Sequence, residues 1–337
     1  MPPPRIYQIT TCLILLTIFS PTITPHANAE HVYLPEDIIT YDTAYNVTDH
    51  YALQWWYLDA VFTNNDSIHL GIMTVGTHGR NGLYLLQIQF YENGTLIHHA
   101  RRLVPLRCIT ASPDSLALSL AGKDFLKGYL TDDQNMAVDV NLTVDDISVN
   151  LTFIGETKGW KGDTSLGMWG CPLPKAAVHG TITINDEPLT VAGTGYQEHG
   201  WDVQRLHRSW FWGKIASDHM NLVFSQNMKN RHEEDVFVTV VNWGEDDYCG
   251  IDRANITLTP TLSVWDHGRR IPWEAVFKAD QGDIHINVTI TVLTVDFSSI
   301  LVVNYWRLHT RVTGTMSCGD MTDLVDSIQI MEVFHFP

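Results

Sequence analysis

Met136-Ala137-Val138-Asp139-Val140-Asn141-Leu142 sets Met136, Val138, Val140 and Leu142 on one face of an extended chain and Ala137, Asp139 and Asn141 on the other. That period of two is the mark of a β-strand with one buried side. Ile284-His285-Ile286-Asn287-Val288-Thr289-Ile290 repeats it far downstream. Between and around these two stretches lie further short runs rich in Val, Ile, Thr and aromatics. Residues 55–63 and 67–75, joined by Asn64-Asn65-Asp66, read as one hairpin. Residues 83–91 and 95–102, joined at Asn93-Gly94, read as another with a strong two-residue turn. Strands are also expected at 147–154, 180–184, 189–193, 210–216, 220–227, 235–242, 255–264 and 306–315. No segment carries a long helical period, so the fold class is all-β. Residues 155–175, rich in Gly and Pro and carrying Trp160 and Trp169, resist the strand reading and are expected to form a packed loop over a cavity mouth.

Residues 1–29 read as a signal peptide: Arg5 gives a basic start, residues 12–19 an apolar run too short to span a bilayer, and Ala27-Asn28-Ala29 a cleavage signal. The expectation is a secreted or secretory-lumen protein without membrane insertion. The remaining residues, 30–337, are too many for one core, which predicts two domains, 30–203 and 204–337. Closed barrels would remove the exposed edges that so many short strands create. Cys108, Cys171, Cys249 and Cys318 remain after the signal, with no C-x-x-C spacing; two disulfides are expected, and the domain division favours Cys108 with Cys171 and Cys249 with Cys318. Asn-x-Ser/Thr sequons at Asn46, Asn65, Asn93, Asn141, Asn150, Asn255 and Asn287 point to a glycoprotein. The chain has 21 Lys and Arg against 38 Asp and Glu, a net charge of −17. Such a field disfavours nucleic acid and anionic lipid and is compatible with a hydrophobic small-molecule substrate.

Chemistry-bearing side chains concentrate in Gly193-Thr194-Gly195-Tyr196-Gln197-Glu198-His199-Gly200-Trp201-Asp202. If extended, Tyr196, Glu198 and Gly200 share one face and Gln197, His199 and Trp201 the other. Tyr196, Glu198, His199 and Asp202 are the candidate proton donors and acceptors, and burial would bring their pKa values toward neutrality. The competing reading is a structural β-corner. With 11 Trp, 12 Tyr and 12 Phe, the chain can also furnish a π-lined pocket. The 16 His residues show no zinc spacing, so no metal is expected, and no nucleophile elbow is present. His207 and Arg208 read as a solvated turn, and the run from His232 to Asp235 as a hairpin tip.

Two stretches together, Gln54-Trp55-Trp56-Tyr57-Leu58-Asp59-Ala60 and Gly195-Tyr196-Gln197-Glu198-His199-Gly200-Trp201, supported by Trp210-Phe211-Trp212 and residues 218–224, resemble the AttH and hydroxyneurosporene-synthase family. Its members include carotenoid hydratase, kievitone hydratase and fungal Diels-Alderases. The resemblance implies two lipocalin-like β-barrels side by side and a substrate site formed by Gln54, Trp55, Trp56, Tyr57, Trp201, Trp210 and Trp212. Gln54 would position a carbonyl or hydroxyl group. It further implies an enzyme without a cofactor: in the first place a (hetero-)Diels-Alder type cyclase on a terpenoid or tropolone-like polyketide, as in the fungal secreted branch, with the alternative of a hydratase with Tyr196 or Asp202 as acid and His199 or Glu198 as base. A non-catalytic carrier of a hydrophobic ligand is the remaining alternative.

Overall fold

The computed structural model describes residues 34–44, 53–75, 82–164, 167–203, 209–228, 236–300 and 303–335. The signal segment, Asn46, His207, Arg208 and the His232 run lie outside them. In chain order the strands are β1 (Glu36–Asp37), β2 (Leu53–Phe62), β3 (Ser67–Val75), β4 (Leu83–Glu92), β5 (Thr95–Pro105), β6 (Ile109–Ala111), β7 (Ala117–Leu120), β8 (Lys123–Leu130), β9 (Met136–Val144), β10 (Ile147–Gly155) and β11 (Trp160–Thr164). They continue with β12 (Gly167–Ile184), β13 (Glu187–Val203), β14 (Ser209–Ala216), β15 (Met220–Met228), β16 (Val236–Trp243), β17 (Asp247–Gly250), β18 (Ile256–Asp266), β19 (Arg269–Gln281), β20 (Ile284–Ile300), β21 (Val303–Cys318) and β22 (Met321–His335). Among the described residues no helix is long and apolar enough to cross a membrane.

All pairings are antiparallel and fall into two sheets of the same design. The first runs β5-β4-β3-β2-β13-β12-β10-β9-β8-β7-β6, with β11 and β1 attached to β12; the second runs β17-β16-β15-β14-β22-β21-β20-β19-β18. In each, the first long strand pairs with the last, β2 with β13 and β14 with β22. The two edge strands are consecutive in the chain, β5 and β6 joined by the 3₁₀ turn Leu106–Cys108, and β17 and β18 by Arg253–Asn255. Each sheet therefore curls until its edges meet at one turn, giving two lipocalin-like barrels side by side. Tight hairpins make this possible: Asn93-Gly94, Asn185-Asp186 and His267-Gly268 all have φ between 45° and 79°, the mirror-image turn that matches strand twist.

Inward-facing side chains fill each barrel. Trp56, Leu58, Ile88, Val140 and Phe153 belong to the first core, and Phe224, Phe277, Ile290, Trp306 and Leu308 to the second. A third cluster lies outside both, where Tyr57, Trp160, Trp169, Cys171 and Tyr196 of the first barrel meet Trp212, Val223, Val238 and Val240 of the second. An outward strand face normally meets water; here the outward faces of β2 and β11–β13 are covered by those of β14–β16.

This joint corrects two expectations. Residues 155–175 are not a loop over a cavity: β11 and β12 form a hairpin with Trp160 opposite Cys171 and Gly162 opposite Trp169. The two indoles, 0% and 7% exposed, fill the joint, and the intervening glycines hid the strand pattern. The expected disulfides are not formed; all four cysteines are free. Cys108 is exposed in a 3₁₀ turn, whereas Cys171 is wholly buried in the joint with its thiol donating to Gln197 O at 3.5 Å. Cys249 and Cys318 are half-buried against the second core. Of the sequon residues, Asn65, Asn93, Asn141, Asn150 and Asn287 are exposed and Asn255 is half-buried.

Candidate active site

Strand β13 changes character along its length. Its first half alternates between exposed and covered positions, but from Gly195 to Trp201 every residue is buried. One face there meets the joint and the other meets the first barrel's end. Period two assigns the side chains: Tyr196 and Glu198 enter the joint, joined by a 2.7 Å hydrogen bond from Tyr196 OH to Glu198 Oε2.

Glu198 is held by three donors. Besides Tyr196, Trp55 Nε1 donates to its Oε1 at 3.0 Å and Trp169 Nε1 to its Oε2 at 2.9 Å. Trp55 reaches it because its register partner is Gly200; a Cβ there would lie 2.2 Å from Trp55 Cζ2. Burial pushes the Glu198 carboxyl up to about 7, outweighing the three donors that favour its anion. Glu198 is thus an acid that divides its time between protonated and ionised forms at neutral pH. Tyr57, Tyr196 and Trp212 form an aromatic triangle beside it, with ring separations of 6.1, 5.5 and 5.3 Å. Trp210, stacked on Phe334 at 3.9 Å, and Trp55 are half-buried.

The second barrel contributes a matching carboxylate. Glu198 stands opposite Tyr57 on the first strand of its barrel, and Glu332 opposite Trp212 on the first strand of the other. Tyr305 OH donates to Glu332 Oε1 at 2.5 Å and Arg307 Nη1 at 3.0 Å. Tyr57 OH accepts from Arg307 Nη1 at 2.8 Å and lies 2.7 Å from Glu332 Oε1 and 2.9 Å from Asp59 Oδ2. One phenol proton cannot serve both carboxyl groups at once, and Asp59 is compensated by Lys214 and Arg307. Burial raises the Glu332 pKa against the opposing pull of Arg307 and the two phenols. The chain ends at an ion pair between Asp59 Oδ1 and Lys214 Nζ at 2.7 Å, with side chains 0% and 5% exposed. Lys214 also lines a groove of about 550 Å³ between Val61, Phe62, Gly193 and Thr194 of one barrel and Ala216, Ser217 and residues 324–329 of the other.

The opposite face of β13 carries a second group. His199 stacks between Trp56 and Trp201 at 5.0 and 4.7 Å. Its Nδ1 donates to Asp42 O at 2.8 Å, and its Nε2 accepts from Gln54 Nε2 at 2.8 Å. Gln54 also donates to Ala44 O, and Trp56 Nε1 donates to Thr43 O at 3.0 Å. Burial takes the His199 pKa down to about 3, so the ring is neutral and both nitrogens are engaged. These four residues clamp the 3₁₀ turn Thr40–Thr43. Asp202 is half-buried with φ 55° at an irregularity in the β13–β2 register.

The structure therefore brings together Trp55, Tyr57, Tyr196, Glu198 and Trp212, places Trp210 at their margin, and sets Gln54, Trp56, His199 and Trp201 apart. Sequence reasoning passed over Asp59, Lys214, Tyr305, Arg307 and Glu332. The available signal was a lone charge inside an otherwise apolar strand, as in Trp212-Gly213-Lys214-Ile215, Trp306-Arg307-Leu308 and Met331-Glu332-Val333. Among the described residues no three His, Cys, Asp or Glu side chains gather as metal ligands.

No family model matches the chain. No curated protein matches it either. Solved structures do. A candidate AttH protein (NE1406) from Nitrosomonas europaea superposes with a TM-score of 0.62 at 12% identity, over 84% of this chain and 92% of that one. Kievitone hydratase from Nectria haematococca gives 0.54 at 11%, over 84% and 88%. CghA, solved with Sch210972, gives 0.56 at 9%, over 85% and 88%. At these identities the likeness is one of fold: the chain is built as the AttH protein, kievitone hydratase and CghA are built.

Proposed function

We propose that this protein is an enzyme that moves a proton at the joint between its barrels, adding water across a C=C bond of an apolar, unsaturated ligand. The observation that carries this reading is Glu198, a buried carboxyl with a pKa of about 7 in a cage of Trp55, Trp169, Tyr57, Tyr196 and Trp212. General acids work best when their pKa matches the working pH. In the forward direction Glu198 gives its proton to one alkene carbon, and the electron pair of the C=C bond forms the new C–H bond. The cation left on the other carbon faces aromatic rings, each of which stabilises a desolvated cation by up to about 2 kcal/mol. Water adds there and returns one proton to Glu198, so the carboxyl is regenerated. Tyr196 orients the carboxyl; His199, neutral and doubly bonded, positions the strand. The likeness to kievitone hydratase supports the reaction class.

A second reading, cyclisation, is supported by the likeness to CghA solved with Sch210972. Incubation with a panel of prenylated phenols and isoprenoids in ¹⁸O-labelled, deuterated water separates the readings. Hydration puts ¹⁸O and one carbon-bound deuterium into the product. Cyclisation gives an unlabelled isomer of the substrate, and a carrier gives no product; either result overturns the hydratase assignment.

A further inference from the structure

Arg307 has donors that nothing around it uses. It is 0% exposed, and both Nη1 hydrogens are spent, one on Tyr57 OH at 2.8 Å and one on Glu332 Oε1 at 3.0 Å. Its Nε and Nη2 have no hydrogen-bond partner among the described residues. The nearest carboxylate oxygen to Nη2, Asp59 Oδ2, is 3.8 Å away, beyond hydrogen-bond reach. The Nε/Nη2 side is the edge on which a guanidinium grips two acceptor lone pairs at once. Arg311, two residues on, uses that edge on Asp326, at 2.7 and 2.8 Å. A buried donor left unspent costs about 1–3 kcal/mol, more when charged. Trp212 Nε1, 5% exposed and also without a partner among the described residues, is a second such donor across the Tyr57 ring.

Charge decides what fits. Two cations, Lys214 and Arg307, stand among four carboxyl groups, Asp59, Glu198, Asp296 and Glu332. With no surplus of positive charge, an added anion would be repelled; a neutral oxygen with two lone pairs would not. Lys214, which lines the groove between the barrels, is linked through Asp59 to Arg307.

We infer that the Nε/Nη2 edge of Arg307 binds a carbonyl oxygen of the ligand, so that the substrate is an unsaturated carbonyl compound whose oxygen is polarised from the second barrel. This rests on the joint being the ligand site, as proposed above, and names the substrate class of that site. Arg307 is then a binding residue for a carbonyl group that is not conjugated with the reacting C=C bond, since a polarised carbonyl would draw electrons from that bond and oppose its protonation by Glu198.

The test uses 4-(dimethylamino)cinnamaldehyde, whose visible band moves to longer wavelength when its carbonyl is polarised, with tryptophan quenching as an independent measure of binding. Purified full-length protein should bind the aldehyde and shift its band to the red. It should bind the oxygen-free analogue 4-(dimethylamino)-β-methylstyrene about tenfold or more weakly, the loss of one charge-assisted hydrogen bond. Arg307→Lys, which keeps the charge and loses the fork, should lose the red shift while its melting temperature shows it folded; the preference between the two probes on the parent protein needs no variant to fold. Glu198→Gln should keep the red shift even where turnover is lost, so a failed hydratase assignment and a failed carbonyl assignment give different results. Quenching without a red shift, equal affinity for the two probes, or a red shift that survives in folded Arg307→Lys would overturn the inference.

Discussion

Replacing Lys214 with Met removes one half of the ion pair that closes the joint. Lys214 Nζ and Asp59 Oδ1 are 2.7 Å apart, with side chains 5% and 0% exposed. At an effective dielectric of about 20 their attraction is about 6 kcal/mol, most of it offset by the cost of taking both from water. The net effect of the pair is therefore small, but the effect of breaking it is not. Asp59 would keep the Tyr57 hydroxyl at 2.9 Å and the more distant Arg307 guanidinium at 3.8 Å but lose its close ion-pair partner while still buried, for a loss of about 3 kcal/mol, the lower end of the range for breaking a buried pair. The paired replacement Asp59→Leu with Lys214→Met removes both charges and should return to within about 1 kcal/mol of the parent. Equilibrium unfolding in guanidinium chloride of the parent, both single variants and the double variant measures the coupling directly. A Lys214→Met protein within 1 kcal/mol of the parent, or a double variant no better than the singles, would refute the claim that the joint holds a desolvated ion pair.

Gly200→Ala places a Cβ 2.2 Å from Trp55 Cζ2, so it should cost about 1–3 kcal/mol by overpacking and, by displacing the indole that donates to Glu198, change turnover beyond the loss of stability; a melting temperature equal to the parent's would contradict this. Stability should also carry the signature of Glu198. Its carboxyl titrates near 7 when folded against an ordinary 4.5, so between those values the folded chain holds a proton that the unfolded chain has released. Its contribution is therefore fully present below pH 4.5 and lost as pH rises through 7, a change on the order of 3 kcal/mol. His199, down to about 3 from 6.5, acts with the opposite sign, its contribution lost as pH falls from 6.5 toward 3. The difference between the parent and Glu198→Gln isolates the first effect, and a difference that stays constant from pH 4.5 to 8 would rule it out.

The barrels were legible in the sequence because one side of most strands faces a dry core. Met136 to Leu142 and Ile284 to Ile290 alternate for that reason, and the structure makes them β9 and the start of β20. Alternation fails where both faces are covered. The run from Gly195 to Trp201 is buried throughout, and Trp160 to Thr164 reads as a loop because small residues sit where the joint holds indoles. Period two still divided Tyr196 and Glu198 from His199 correctly. It did not identify which face meets the second barrel, since that depends on contacts more than 100 residues away, such as Tyr57 with Glu332 and Arg307. The cysteine reading divides: Cys171 points into the joint and Cys108 lies exposed in a turn, whereas burial, helped by the nearby Cys318, pushes the Cys249 thiol up to about 11, with both thiols free.

The most direct test of the central claim is the pH dependence of turnover on whichever prenylated phenol or isoprenoid the labelled-water panel identifies. If protonated Glu198 starts the reaction, kcat/KM should be constant at low pH and fall above a midpoint near 7, and Glu198→Gln should lower it by roughly 10² to 10⁴ while remaining folded. A rate independent of pH between 5.5 and 8.5, or a folded Glu198→Gln protein with the parent's rate, would place the chemistry elsewhere than at this carboxyl.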